Sequence, residues 1–458
     1  SINSLSELVY TMNFTDRLKD DPKFFWEMLL LFCIYGAYAV LNICRTTVVI
    51  SSPAMLDDPA LELNKTMWGA ILGWGTAGTL VGKLTTGIMA DRFGGRKIFL
   101  ISIGICMLAT GIFGMVSKVF FFSIAFFIAM LAKSAGWPSM ANLIKSWYPK
   151  YWRGRIWGIL SSSSMSSSLF TSLVMGSLLL VISWRWVIAS SLPIAGIFCI
   201  LLFFYLKQSP TDVGFKAMPS VDGDENNYNP KKNHHLDNAS LREALISFLK
   251  SSRFWFISIS IMSLTILMGF QSFLPLYLKE IYNLSPGKAG IASSVFPLGS
   301  MFSILIGGFI FDTLTKKRRI FVLGGMMILA TGCIVTLLAL PGSNIQETLL
   351  PWIALLVIMV FGLVVAPCYL IPMSVFSLDF GGKHCGVLVG IIDAIGYSAL
   401  MIFEFSGGVV ADQVDGWQHF LHIILNISII GTITLILFLI IDHRSLSKSK
   451  SIAYKKVS

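Results

Sequence analysis

The chain has 458 residues, of which 55% are apolar and only 13% are charged, and its mean hydropathy is +0.75. A soluble domain has about 25% charged residues, so this composition excludes a water-soluble fold. The net charge is +11, but Lys and Arg cluster in short turns between apolar blocks. That pattern indicates membrane topology and not binding to nucleic acid. The cysteines lack metal-ligand spacing, so we expect no disulfide, metal or other cofactor.

Apolar blocks long enough to cross hydrocarbon recur along the chain and are separated by Gly, Pro and charged residues. They predict an all-α membrane protein with twelve transmembrane helices in two six-helix halves. The predicted spans are 24–52, 66–90, 98–117, 119–144, 156–182, 185–206, 254–278, 289–311, 320–340, 349–377, 386–411 and 417–441. A polar stretch divides the chain into an amino-terminal half (1–207), a linker (208–253) and a carboxyl-terminal half with a tail (254–458).

The distribution of basic residues predicts the orientation in the membrane. If both termini and the linker are cytoplasmic, 27 of the 35 Lys and Arg residues lie on the cytoplasmic side, five lie outside, and three lie within spans. This asymmetry follows the positive-inside rule. We therefore expect cytoplasmic termini, a bacterial inner membrane as the location, and a monomer, because one chain holds both halves.

A short motif repeats weakly between the halves. The sequence GIMADRFGGRK (Gly87–Lys97) ends the second span, and GFIFD (Gly308–Asp312) ends the eighth. The first segment resembles the GxxxDRxGxRK loop signature of the major facilitator superfamily. The resemblance implies two six-helix repeats that expose a central site to each side in turn. It also implies a cytoplasmic gate formed by Gly87, Asp91, Arg92, Arg96 and Asp312.

Within that superfamily the chain is similar to the organophosphate:phosphate antiporters, which carry glycerol phosphate and hexose phosphates. The similarity rests on Arg45, Lys83, Gly136–Pro138, Ser183–Trp186, Ser209–Gly214 and Pro275–Glu280. Two positions depart from the family. Leu267 or Met268 replaces a second arginine in span seven, and the serine-rich run Ser161–Ser168 replaces a histidine in span five. Exchange against inorganic phosphate is therefore left open, with a proton as the other coupling ion.

Ionisable residues within spans are candidate binding residues, because a charge at the bilayer centre costs roughly 2.5–3.5 kcal/mol. Arg45 offers a planar fork of donors to a phosphate or carboxylate and shares a helix face with Tyr38. Lys133 could supply the charge that span seven lacks, or could be neutralised by a structural partner. The expected substrate-binding residues are Arg45, Lys83, Tyr38, Asn42, Lys133, Gln271 and Tyr397.

Span eleven carries two acidic residues. Asp393, Tyr397 and Glu404 lie on one helical face by their spacing. A buried carboxylate beside a cation can exchange a proton near neutral pH, so Asp393 and Glu404 are expected to act in proton coupling. Alternatively, either carboxylate simply neutralises a lysine across a helix interface. The serine run is expected mainly to allow close helix packing.

No nucleotide-binding loop, dinucleotide glycine motif or HExxH sequence is present, so we expect no enzymatic activity. The sequence predicts a secondary transporter that moves a small organic anion, such as a phosphate ester, across the lipid bilayer by alternating access with proton coupling. The alternatives are an organophosphate:phosphate antiporter and a membrane sensor that binds a sugar phosphate without transporting it.

Overall fold

The computed structural model describes residues 22–215, 240–381 and 384–455, and every regular element in these ranges is a helix. A bilayer favours this, because a helix satisfies its own backbone hydrogen bonds without water. The helices of the first half are α1 (Pro22–Leu56), α2 (Lys65–Phe93), α3 (Gly95–Met115), α4 (Val119–Ser134), α5 (Gly136–Trp147), α6 (Lys150–Leu178) and α7 (Trp184–Tyr205).

The second part of the chain begins with α8 (Leu241–Lys250), a short helix within the predicted linker. The Ser240 and Glu243 side chains cap it reciprocally, and its apolar residues Ala244 and Phe248 are buried. The following helices are α9 (Ser252–Gly269), α10 (Leu274–Tyr282), α11 (Pro286–Ala292), α12 (Val295–Thr313), α13 (Lys316–Ala339), α14 (Leu350–Gly381), α15 (Cys385–Ala411) and α16 (Gly416–Lys455).

Within the described ranges, ten segments are long and apolar enough to cross a membrane. Helices α2 and α6 are not among them, although each has 29 residues and about 20 suffice. Both are more polar: α2 carries several glycines and threonines with Lys83, and α6 carries a basic first turn and the serine run. The predicted all-helical membrane fold is thus present, whereas the count of twelve spans stays a prediction for these two helices.

Three predicted spans are interrupted. The fourth is divided at Ala135 between α4 and α5, the seventh by the 3-10 turn Phe270–Ser272, and the eighth between α11 and α12. Hydropathy does not reveal such breaks, because the residues on both sides are apolar or small. Within a bilayer, irregular backbone is tolerated only where it is buried in protein or lines a cavity.

The two halves meet along two seams, α2 with α15 and α6 with α11. A Cβ atom at Gly69 would lie 2.7 Å from the Cα atom of Gly408, and one at Gly290 would lie 3.1 Å from the Cα atom of Gly176. These contacts lie at the end of the bundle where α1 ends and α2 begins, which we call the far end. The opposite end, where α7 ends and α9 begins, is the linker end.

Both seams separate towards the linker end. A Cβ atom added at Gly87 of α2, Gly158 of α6, or Gly390 of α15 would meet no described atom within 4 Å, apart from its own helix and chain neighbours. These glycines lie on the same helical faces as the closely packed glycines of the far end. The halves therefore enclose a cavity that is closed at the far end and open at the linker end.

Candidate functional site

Helix α15 runs antiparallel to α2, and one face of each helix carries the contacts between them. From the far end inward, Gly69 meets Gly408, the ring of Phe405 packs against Gly73, and the Thr76 hydroxyl donates a hydrogen bond to the Glu404 carboxylate. The last contact before the seam opens is an ion pair across the halves.

This ion pair, the seam pair, joins the Lys83 Nζ atom to the Asp393 Oδ2 atom at 2.5 Å. Its side chains are 22% and 16% exposed, so the pair is largely withdrawn from solvent. Of the two roles that the sequence left open for each carboxylate, Asp393 is placed to neutralise a lysine. Glu404 is buried and forms no ion pair with any described residue.

Three tyrosines surround the seam pair. The Lys83 ammonium lies 4.6 Å from the centre of the Tyr397 ring, a cation–π distance. Tyr369 of α14 and Tyr38 of α1 lie close enough to interact with Tyr397. Tyr38 and Tyr397 were predicted from the sequence. Tyr369 was not, because its only signal is its place between Pro367 and Pro372 in an apolar helix.

Arg45 connects the halves at a second point. Its guanidinium donates a hydrogen bond of 2.9 Å to the Ser272 hydroxyl. Ser272 lies in the 3-10 turn that interrupts the seventh predicted span, and Gln271 is its half-buried neighbour in the same turn. The break in α9 thus brings a polar segment opposite Arg45. Ser272 was missed, because one serine in an apolar run carries no signal in the sequence.

Lys133 lies in the last turn of α4, directly before the break at Ala135. Its side-chain ammonium forms no hydrogen bond or ion pair with any residue in the described ranges, and its charge is within electrostatic range of Arg45 and Lys83. Arg45 likewise has no ion pair with a described residue. The amino-terminal half therefore presents two cations, Arg45 and Lys133, without a paired carboxylate.

Aromatic rings form the wall beside these cations. The Tyr38 ring lies 5.1 Å from the Trp137 ring, which lies 5.3 Å from the Trp157 ring. A Cβ atom at Gly136 would lie 2.6 Å from the Tyr38 ring, so this glycine is needed for the approach of α5 to α1. The break before α5 thereby places Trp137 over Tyr38.

Asn42 does not lie at the cavity, contrary to its prediction as a binding residue. It is 1% exposed, and its amide nitrogen donates to the Ser164 carbonyl and to the hydroxyls of Ser167 and Ser168 at 2.8–2.9 Å. The Tyr35 hydroxyl donates to Ser166 in the same interface. Part of the serine run therefore forms the contact between α1 and α6, in agreement with the expectation that the run allows close helix packing.

The predicted gate residues lie at the linker end, which is open in this conformation. Arg96 donates a 2.8 Å hydrogen bond to the Phe203 carbonyl within its own half, and Asp91 and Arg92 are exposed. The side chain of Asp312 lies outside the described residues. The gating role of Gly87 and these residues stays a prediction, because it concerns a closed linker end.

Two further ion pairs between the halves lie at the far end. Lys65 forms an ion pair of 2.8 Å with Glu280, which also accepts a hydrogen bond from the Trp417 indole. Lys279 forms an ion pair with Asp57. Together with the glycine contacts of the two seams, these ion pairs close the far end. They were not predicted from the sequence.

Comparison with known proteins places this geometry in a family. The family description of the Major Facilitator Superfamily matches residues 28–404. The "Probable hexose phosphate transport protein" of Chlamydia trachomatis is 25% identical, covering 91% of each chain. The "Membrane sensor protein UhpC" of Salmonella typhimurium is 24% identical over 67% of this chain and 69% of that protein.

A solved structure shares the fold. A bacterial homologue of the human lysosomal transporter Spinster, in an inward-facing and unoccupied conformation, superposes with a TM-score of 0.69 over 92% of this chain and 98% of that one, at 15% identity. The family description covers most of the chain, and this likeness agrees with it. The chain therefore belongs to the Major Facilitator Superfamily, in which it is a divergent relative of the organophosphate transport proteins.

Proposed function

We propose that the protein is a secondary active transporter for a small organic anion, with an organophosphate as the substrate class. The supporting observation is the cavity between the halves, which is closed at the far end and presents Arg45 and Lys133 without paired carboxylates. Desolvated cations without a paired carboxylate favour an anionic ligand. A relative described as a probable hexose phosphate transport protein agrees with this charge.

Each cavity residue has a role in this proposal. The Arg45 fork binds two phosphate oxygens at once, and Lys133 supplies a second, point-like charge. Two unpaired cations match the charge of a phosphate monoester near neutral pH. Tyr38, Trp137 and Trp157 form an aromatic wall for the organic part of the substrate, and Ser272, Gln271 and Tyr397 contribute polar contacts from the other half.

Coupling to protons is proposed to act through the seam pair. Protonation of Asp393 removes one charge of the pair and so releases the contact nearest the open end of the α2–α15 seam. The state of this carboxylate is thereby linked to the separation of the two halves. Exchange against inorganic phosphate is the second candidate, because the organophosphate relatives favour it, although Leu267 or Met268 replaces the second arginine that the antiporter family has in span seven.

We further propose that the linker end faces the cytoplasm of a bacterial cell and that the monomer is the working unit. The positive-inside asymmetry supports the orientation, because the basic turn Lys316–Arg319 lies at the linker end.

The test is uptake of labelled sugar phosphates and glycerol phosphate by proteoliposomes, with either an imposed pH gradient or internal phosphate. Arg45→Ala should lower the apparent substrate affinity about tenfold or more, the worth of a charge-assisted hydrogen bond. Arg242→Ala, which removes the same charge from an exposed position on α8, should leave uptake unchanged.

Three outcomes separate the candidates. Uptake driven by the pH gradient supports the proton-coupled transporter. Exchange that requires internal phosphate and ignores the gradient identifies an antiporter. Saturable substrate binding without flux identifies a sensor and contradicts the transport proposal.

A further inference from the structure

A second cavity lies at the linker end of the carboxyl-terminal half, away from the central site. It is a groove between α13 and α16 with α14 as its floor, and its enclosed volume of about 40 Å³ continues into a side that is open to the surroundings. Its apolar walls are formed by Leu323, Ile371, Pro372, Val375, Phe438 and Leu439.

The polar end of the groove is basic. The residues that line this end are Arg319, Asp442 and His443. Asp442 already forms an ion pair of 3.1 Å with Arg253, whose guanidinium also lies over the Phe376 ring in the floor. The Arg319 Nε atom donates to the Leu314 carbonyl, which fixes the guanidinium while its two terminal nitrogens have no partner among the described residues. Arg319 and His443 thus remain to receive an anion.

The surroundings of the groove are those of a membrane surface. Phe321 on α13 is 72% exposed and Leu437 on α16 is 39% exposed, so the outer faces of these two helices at this depth are apolar and suited to lipid. The basic turn Lys316–Arg319 marks the depth at which lipid headgroups would lie. A ligand with an anionic head and an apolar tail fits both ends of this groove.

We propose that the groove binds an anionic phospholipid. Its phosphate lies against Arg319 and His443, and the first part of an acyl chain lies along the apolar walls. Basic pockets between transmembrane helices, near the headgroup level, have the chemistry for this recognition. Bound lipid would bridge α13 and α16 and so stabilise the carboxyl-terminal half.

The test is thermal unfolding of the purified full chain in detergent during titration with phosphatidylglycerol. Lipid that binds the folded protein should raise the unfolding temperature in a saturable way. Arg319→Gln should weaken the apparent lipid affinity about tenfold or more. Arg318→Gln makes the same charge change in the same turn, at an exposed position outside the groove, and should leave the affinity unchanged.

Val375→Trp provides a second variant, since it fills the groove without changing the charge and should also abolish the saturable gain. The proposal is overturned if phosphatidylcholine stabilises the wild type equally, or if Arg318→Gln and Arg319→Gln weaken the effect to the same degree. Equal stabilisation by inorganic phosphate would instead identify a free-phosphate site and reject the lipid.

Discussion

The seam pair places two opposite charges where neither has ready access to water. Each side chain is less than one quarter exposed, and the Tyr397 ring covers the ammonium. Removing one member of such a pair is more damaging than removing both, because the remaining charge stays desolvated without a partner. The pair also joins the halves, so its loss affects both stability and the conformational equilibrium.

A double-mutant cycle tests this at the residue scale. Asp393→Asn and Lys83→Met should each destabilise the protein in detergent, and the double variant should regain most of the loss, with a coupling free energy of about 1–3 kcal/mol from the unfolding midpoints. Transport driven by a pH gradient should stay absent in the double variant. Glu404→Gln is the matched control, since it should show no coupling to Lys83→Met. Additive effects of the two substitutions would contradict a functional ion pair.

The site residues that could be identified from the sequence are those whose charge costs free energy inside the bilayer. Arg45, Lys83, Lys133 and Asp393 were recognisable because a charge within hydrocarbon requires a reason. Ser272 could not be identified in this way, because a serine costs little free energy in a membrane helix. Its role depends on the break in the seventh span, which places it opposite Arg45. The roles proposed for these residues stay predictions until they are measured.

At the scale of the helices, the two seams are formed by equivalent positions in the two halves of the chain. Gly69 of α2 and Gly290 of α11 each lie 18 positions before the glycine that opens the repeated motif, Gly87 or Gly308. Each packs against a glycine of the other half, Gly408 or Gly176. The far end is therefore closed by two equivalent contacts at which the helix backbones nearly touch.

Gly69→Leu should open the far end. The added side chain would collide with the backbone of Glu404 and Gly408, so α2 and α15 should move towards the ordinary separation of about 8–10 Å between helix axes. Spin labels at Glu62 and Gln413, in a background without native cysteines, should report a longer distance. Gly332→Leu is the control, because a Cβ atom there meets no described neighbour. An unchanged distance in Gly69→Leu would show that the seam does not require glycine.

The sequence could predict the helices better than their breaks. Apolar length and punctuation located the membrane segments, because hydrocarbon thickness sets the length. The division of the fourth span at Ala135 depends on the neighbouring α1, against which Gly136 and Trp137 pack. Such a break is decided by tertiary contacts, which a single segment does not contain.

At the scale of the whole molecule, the structure is one of the two states that alternating access requires. The predicted facilitator fold is confirmed by the family match, whereas the direction in which the cavity opens could not be predicted, since the same sequence must form both states. Which state is more populated depends on small differences between the contacts at the far end and those at the linker end.

The Lys65–Glu280 ion pair is one contact that only the state closed at the far end can form. Partly exposed pairs of this kind are worth about 0–1 kcal/mol, so Lys65→Glu, which replaces attraction with repulsion, should shift the ratio of the two states about fivefold towards the open far end. The same spin-label pair would report the shift, and salt should reduce it, because exposed charges are screened.

The swapped variant Lys65→Glu with Glu280→Lys should restore the closed population, although the indole contact of Trp417 with Glu280 would be lost and the recovery should be incomplete. Lys118→Glu makes the same charge change at an exposed far-end position within one half and should leave the ratio unaltered. If the swapped variant stays as open as Lys65→Glu, the far end is held by the glycine seams alone. The ion pairs would then be a consequence of closure and not a cause of it.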